Sequence, residues 1–102
     1  MSQAAIRETT SGVIELSGVL DYLTGPALRK QGAGLIKSSS AAAFVVDCSA
    51  VTKSSSVGLS LLLAFTRDAK TAGKQLVVRG MPKDMQEIAG VSGLSDVLPL
   101  QA

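Results

Sequence analysis

FVVDCSAVTKSSSVGLSLLLAF, residues 44–65, carries two apolar patterns separated by a polar stretch. The first belongs to the continuous run AAAFVVDCS at residues 41–49, typical of a strand buried on both faces. The second begins at residue 57 and predicts a helix to residue 72, stopped by Gly73. On a wheel of about 100° per residue, Leu61, Leu62, Phe65, Ala69 and Ala72 share one sector about 100° wide. That sector is the expected core face. Leu59 and Leu63 fall on the far side with Thr66, Arg67 and Lys70, and Ser56 projects onto the same stripe. Two leucines among polar residues on a solvent-facing stripe have two readings. They are ordinary scattered surface residues or lie under a neighbouring loop, or they form the apolar centre of a partner-binding surface with a basic rim.

Working outward, GVIELSG at residues 12–18 alternates, with Ile14 and Leu16 facing one way and Val13 and Glu15 the other. It reads as a strand, with a weaker one before it around residues 4–9 forming a hairpin. Pro26 suits the first turn of a helix in which Leu28, Leu35 and Ile36 recur at helical spacing. Gly32 and Gly34 each weaken that helix by roughly 1 kcal/mol relative to alanine. KQLVVRG at residues 74–80 reads as another buried strand. Pro82 opens a short helix through Ala89, ending near Gly90, and SDVLPL at residues 95–100 reads as a last extended piece. The order is two strands, helix, strand, helix, strand, helix, short strand. Strand–helix–strand units imply parallel pairing by right-handed crossovers. The expected fold is therefore α/β, a mixed sheet of four to five strands with three to four helices packed against it.

The chain has 102 residues, which fits one domain spanning residues 1–102. Hydrophobic residues make up 46% and charged residues 18%, a globular balance. With three aromatics the core must be aliphatic, and no stacking platform for nucleic acid exists. The net charge is +2 and the basic residues are scattered, which also argues against nucleic acid. The absence of histidine removes Ser-His and Cys-His nucleophile pairs and histidine metal sites. One cysteine, Cys48, fits a reducing compartment and reads as a small core residue. The opening residues lack the apolar stretch of a signal peptide, and no run approaches the roughly 20 residues that span a bilayer. The expectation is a soluble cytoplasmic domain.

Ser54, Ser55 and Ser56 precede the leucine run. As nucleophiles they lack a base, and no S-x-x-K constellation supplies one. Ser55 or Ser56 suits the helix N-cap, worth about 1 kcal/mol. Ser56 is also a chemically reasonable phosphorylation site, since a phosphate there meets the positive end of the helix dipole. Such a phosphate brings about two negative charges into the proposed patch and weakens binding. The GAG at residues 32–34 lies inside a helical pattern and is not a phosphate loop. Asp47 ends the buried strand and is expected to fix a turn rather than bind a metal.

The stretch at residues 44–65, with LSGVLD near the start, AGKQLVVRG after the helix and GLSDVLPL at the end, resembles the STAS domain family, the sulfate-transporter and anti-sigma-factor-antagonist domains. The small size and the ending look most like the STAS subunits of Mla-type phospholipid-transport ABC complexes. The resemblance implies a mixed sheet, protein binding without chemistry, and no cofactor. It implies that Ser56 matches the phosphorylated serine of the anti-sigma antagonists. Ser55 stands where those proteins carry aspartate, and Val57 where a small residue is usual, which departs from the phosphorylation pattern. In the Mla-type subunits the matching hydroxyl residue lies at the contact with the ABC ATPase. The expected partner-binding set is Ser55, Ser56, Leu59, Leu63, Thr66, Arg67 and Lys70. The expected partner is the ATPase of a lipid transporter at the cytoplasmic face of the inner membrane, reached only through the complex. The alternative is an anti-sigma kinase.

Overall fold

The computed structural model describes residues 3–101. Strands β1 (Ala4–Thr10) and β2 (Val13–Leu20) form a hairpin, followed by α1 (Gly25–Ser38), β3 (Ala43–Ser54), α2 (Ser56–Thr71), β4 (Gln75–Arg79) and α3 (Lys83–Val91). A 3-10 turn at Leu94–Asp96 closes the order. The four strands form one mixed sheet in the order β1-β2-β3-β4. β1 and β2 pair antiparallel, while β2–β3 and β3–β4 are parallel, as the crossover argument requires.

The register decides which face is buried. Ile6 lies opposite Leu16, Ile14 lies beside Val46 and Val46 beside Val78, and all five are buried. On the other face Val13, Val45 and Val77 form a half-buried row, and the next row reads Arg7, Glu15, Asp47, Arg79. β3 and β4 are therefore buried on one face only, not on both. Their outward residues are apolar because valines pack across neighbouring strands even on an uncovered face.

Helix α1 packs against β1 and α2, α2 against β4, and α3 against α2 and β3. A Cβ on Gly32 would lie 2.3 Å from the Phe65 ring, so only glycine lets α1 cross α2 this closely. Gly34 has open space around it and no such reason. Arg29 and Asp68 join the same two helices through a two-pronged ion pair, with one N–O distance of 3.2 Å.

β3 runs to Ser54, five residues beyond the expected end, because Val51 and Ser54 are buried against β2 partners Gly18 and Leu20. The expected last strand is reduced to one bridge. Val78 N–H donates to the Pro99 carbonyl at 2.9 Å, and Gln101 N–H donates to the Val78 carbonyl at 2.8 Å. Ala72, expected in the core, is the exposed C-cap of α2.

Lys74 closes the C-terminal end of α1 from across the fold. Its Nζ donates to the carbonyls of Ile36 at 2.8 Å and Ser39 at 2.6 Å and lies 5.3 Å from the centre of the Phe44 ring. A cation there satisfies carbonyls that the helix leaves unpaired. Lys74→Met keeps most of the stem and loses the charge. It should cost about 1–2 kcal/mol, read as a lower urea midpoint with unchanged slope.

Candidate partner-binding surface

The three serines have three separate roles. Ser54 is buried: its N–H donates to Asp84 at 3.1 Å, and its hydroxyl donates to the Ser55 carbonyl at 2.8 Å. Ser55 is the N-cap of α2. Its hydroxyl oxygen accepts from Val57 N–H at 3.2 Å and donates to the Leu20 carbonyl at 3.3 Å, while its own N–H donates to that carbonyl at 2.9 Å. Ser56 begins the helix. Its hydroxyl is exposed and makes no hydrogen bond among the described residues.

From Ser56 the exposed stripe of α2 continues through Ser60, Leu63, Arg67 and Lys70. Leu63 is half-buried, and Thr66 beside it turns its hydroxyl back to the Leu62 carbonyl at 2.8 Å. Leu59 does not belong to this stripe. It is 1% exposed and lies in the core. Helix α1 packs along the flank bearing Leu61 and Ala64, and α3 also packs against α2. The buried arc thus reaches about 220° on the wheel rather than 100°. A helix packed by α1 and α3 as well as by the sheet leaves a narrow stripe, which is why α2 looks too apolar for one core face.

Two shallow grooves flank the stripe. One lies between α1 and α2, with Tyr22, Pro26, Val57 and Ala64 along it. The other lies between α2 and the 3-10 turn, with Leu63, Thr66, Arg67, Lys70 and Val97 along it. Ser60 borders both. Tyr22 is 77% exposed and was not among the expected contact residues. The turn that carries it is fixed by Asp21, whose carboxylate accepts from Leu23 N–H at 2.9 Å and Thr24 N–H at 3.1 Å. The sequence signal was two large apolar residues in DYLTG, a segment that otherwise reads as a turn. An exposed tyrosine on a rigid turn is a low-entropy contact residue.

Other candidates are structural. Burial raises the Cys48 thiol to about 12, with the Asp47 charge adding to it, so it is not a thiolate near neutral pH. Asp47 does not end its strand. Its carboxylate accepts from the Ser49 hydroxyl at 2.6 Å and the Ser49 N–H at 2.9 Å, clasping the irregularity where β3 shifts register against β2. Those bonds, with Arg79 beside it, hold the carboxyl below its usual range. Among the described residues no group of three or more histidine, cysteine, aspartate or glutamate side chains could hold a metal. No described helix is long and apolar enough to cross a membrane.

A mixed sheet is covered by helices on one face, and a serine stands at the exposed start of the central helix. The family model described as "Mlab, STAS domain" matches residues 4–100, and the chain belongs to the STAS domain family. An anti-sigma factor antagonist from Mycobacterium paratuberculosis is 30% identical, with a TM-score of 0.70, over 95% of this chain and 82% of that one. The anti-sigma factor antagonist SpoIIAA in its unphosphorylated form superposes with a TM-score of 0.73 at 17% identity, over 96% of this chain and 85% of that one. The phosphorylated form of the Bacillus cell fate determinant SpoIIAA gives 0.67 at 16% identity, over 96% and 88%. At such low identity the two SpoIIAA structures speak for the fold alone.

Proposed function

We propose that this domain is a non-enzymatic accessory subunit that docks on the cytoplasmic ATPase of an Mla-type lipid-transport ABC complex and supports its assembly or activity. The observation that carries this reading is the exposed α2 stripe from Ser56 to Lys70, with Leu63 at its middle, on a chain matched by the Mlab-type STAS model. The surface has an apolar centre and a polar rim, and the serines have no base to make them nucleophiles. Ser55 acts as the cap that holds the surface in place, and Ser56, Leu63, Thr66, Arg67 and Lys70 form the contact. In this reading the domain sits at the inner face of the membrane through its complex.

The test is co-purification with the ATPase subunit and titration calorimetry of variants. Leu63→Ala should lose about 1–3 kcal/mol of binding and about 1 kcal/mol or less of fold stability. Ser56→Ala should bind nearly as wild type, while Ser56→Arg should bind much more weakly, because an unpaired charge in a closed contact is costly. Equal affinity for the Ala and Arg variants would place Ser56 outside the contact.

A second reading, an anti-sigma-factor antagonist switched by phosphorylation of Ser56, is favoured by two observations: the exposed, unbonded hydroxyl at a helix N-terminus and the 30% identity to such an antagonist. Incubation with an anti-sigma kinase and ATP, followed by mass spectrometry, separates the two readings. A phosphate on Ser56 with release of the kinase supports the switch.

A further inference from the structure

The two grooves beside α2 differ in charge. Arg29, on the α1 side, is already bound to Asp68. Arg67 and Lys70, on the side of the 3-10 turn, form no ion pair among the described residues, and no carboxylate lines their groove. Leu63 and Val97 supply its apolar wall, and Val97 is 62% exposed. The groove therefore holds exposed apolar surface beside two cations without counter-charges. Lys70 lies in the last turn of α2, where the helix dipole welcomes a cation, but Arg67 lies earlier.

Resting on the docking reading above, we infer that the groove between α2 and the 3-10 turn receives an acidic, apolar segment of the partner protein. An apolar side chain of that segment packs between Leu63 and Val97, and its carboxylates meet Arg67 and Lys70. A protein segment fits better than an anionic membrane. Two cations are fewer than the roughly four to eight that mark a lipid-binding basic cluster. The apolar surface of the groove is also small, confined to Leu63 and Val97 between a helix and a turn, whereas a bilayer presents a broad surface. Complementary charge at such a rim accelerates encounter and fixes orientation, while the apolar centre holds the complex together.

The experiment uses the whole domain and the ATPase subunit, with association followed by surface plasmon resonance at low and high salt. The variants are Arg67→Glu with Lys70→Glu, and the milder Arg67→Gln with Lys70→Gln. All four substitutions lie on exposed side chains, and a thermal melt verifies that each variant is folded. The double reversal should slow association about tenfold at low salt, with the gap closing at high salt and the dissociation rate changing less. A photo-crosslinking residue at position 97 should join a stretch of the ATPase in which at least two carboxylates alternate with apolar residues.

If the complex forms but the reversal associates as fast as wild type, or the crosslink falls in a stretch without carboxylates, the groove assignment is wrong and the docking reading stands. If the wild-type domain forms no complex with the ATPase, the docking reading is overturned and this inference with it. Flotation with phosphatidylglycerol vesicles is the third arm. Binding lost in the double reversal would assign the groove to lipid headgroups and overturn the protein-segment assignment.

Discussion

Leu59→Ala should lose about 2–5 kcal/mol of stability and melt roughly 10 °C or more below wild type. Leu59 is 1% exposed, and its truncation leaves a cavity in the core. Partner binding should fall only as the folded fraction falls. At a temperature where the variant is still folded, its affinity should match wild type within about a factor of two, because the side chain reaches no outer surface. Leu63→Ala should behave the opposite way, although the two leucines lie one turn apart on the same helix. Calorimetric melts of both variants beside binding titrations separate the roles. If Leu59→Ala melts like wild type, the core position of Leu59 described above is wrong.

Gly58→Ala should damage the fold and the docking surface together. A Cβ at this position would lie 2.1 Å from the Ser54 hydroxyl, 3.1 Å from Leu20 Cδ1 and 3.2 Å from Met85 Cε. Leucine and methionine ends can shift by a few tenths of an ångström, but the Ser54 hydroxyl cannot retreat without leaving the Ser55 carbonyl. Alanine therefore forces the first turn of α2 away from β2 and α3, at an overpacking cost of about 1–3 kcal/mol. It also disturbs the Ser55 cap on which the position of Ser56 depends. The helical propensity of alanine, worth up to about 1 kcal/mol over glycine, offsets only part of this. Amide hydrogen exchange should be faster at residues 56–60 in the variant, and binding of the proposed ATPase partner should be weaker than the loss of folded protein explains. Unchanged exchange in that turn would show that the pocket under Gly58 can open without cost.

The element order and the mixed pairing were readable from the chain because they depend on local signals. Gly12 precedes β2, Pro26 and Pro82 stand at helix starts, and Gly73 follows α2, although Gly18, which reads as the far end of β2, lies inside the strand. The depth of burial was not readable to the same degree, because it depends on which neighbours arrive from elsewhere. A wheel drawn for α2 alone assumes one covering surface, but α1 and α3 pack on it as well as the sheet, and Leu59 is buried. The run at residues 41–49 looked buried on both faces, yet Val45 sits on the uncovered side in a row with Val13 and Val77. Composition does not distinguish a helix-covered valine from one packed only by its cross-strand neighbours. The polar residues Thr52, Lys53 and Ser54 hid the length of β3, since Lys53 and Ser54 pair through the backbone with Val19 and Leu20 of β2 and Thr52 is skipped at a register shift.

The candidate surface was half readable. Ser56, Leu63, Arg67 and Lys70 follow helical spacing and could be placed from the chain. Tyr22 and Val97 come from turns far away in sequence and join the surface only when β2 ends beside the start of α2 and the 3-10 turn folds back. Such residues leave no periodic signal.

The short run at residues 99–101 has a consequence for how the molecule behaves in a crowded solution. By exchanging hydrogen bonds with Val78 it occupies part of the outer border of β4. Without it, a row of free amides and carbonyls beside apolar Val78 would be open to any passing strand. Shortening the chain at residue 98 should therefore raise concentration-dependent self-association more than it lowers the melting temperature. Sedimentation velocity across a dilution series would show it. The opposite border, β1, pairs with no further strand among the described residues. It carries Arg7 and Glu8, and charges of both signs along an edge strand discourage pairing with a neighbour. One border of the sheet is thus guarded by a strap and the other by charge.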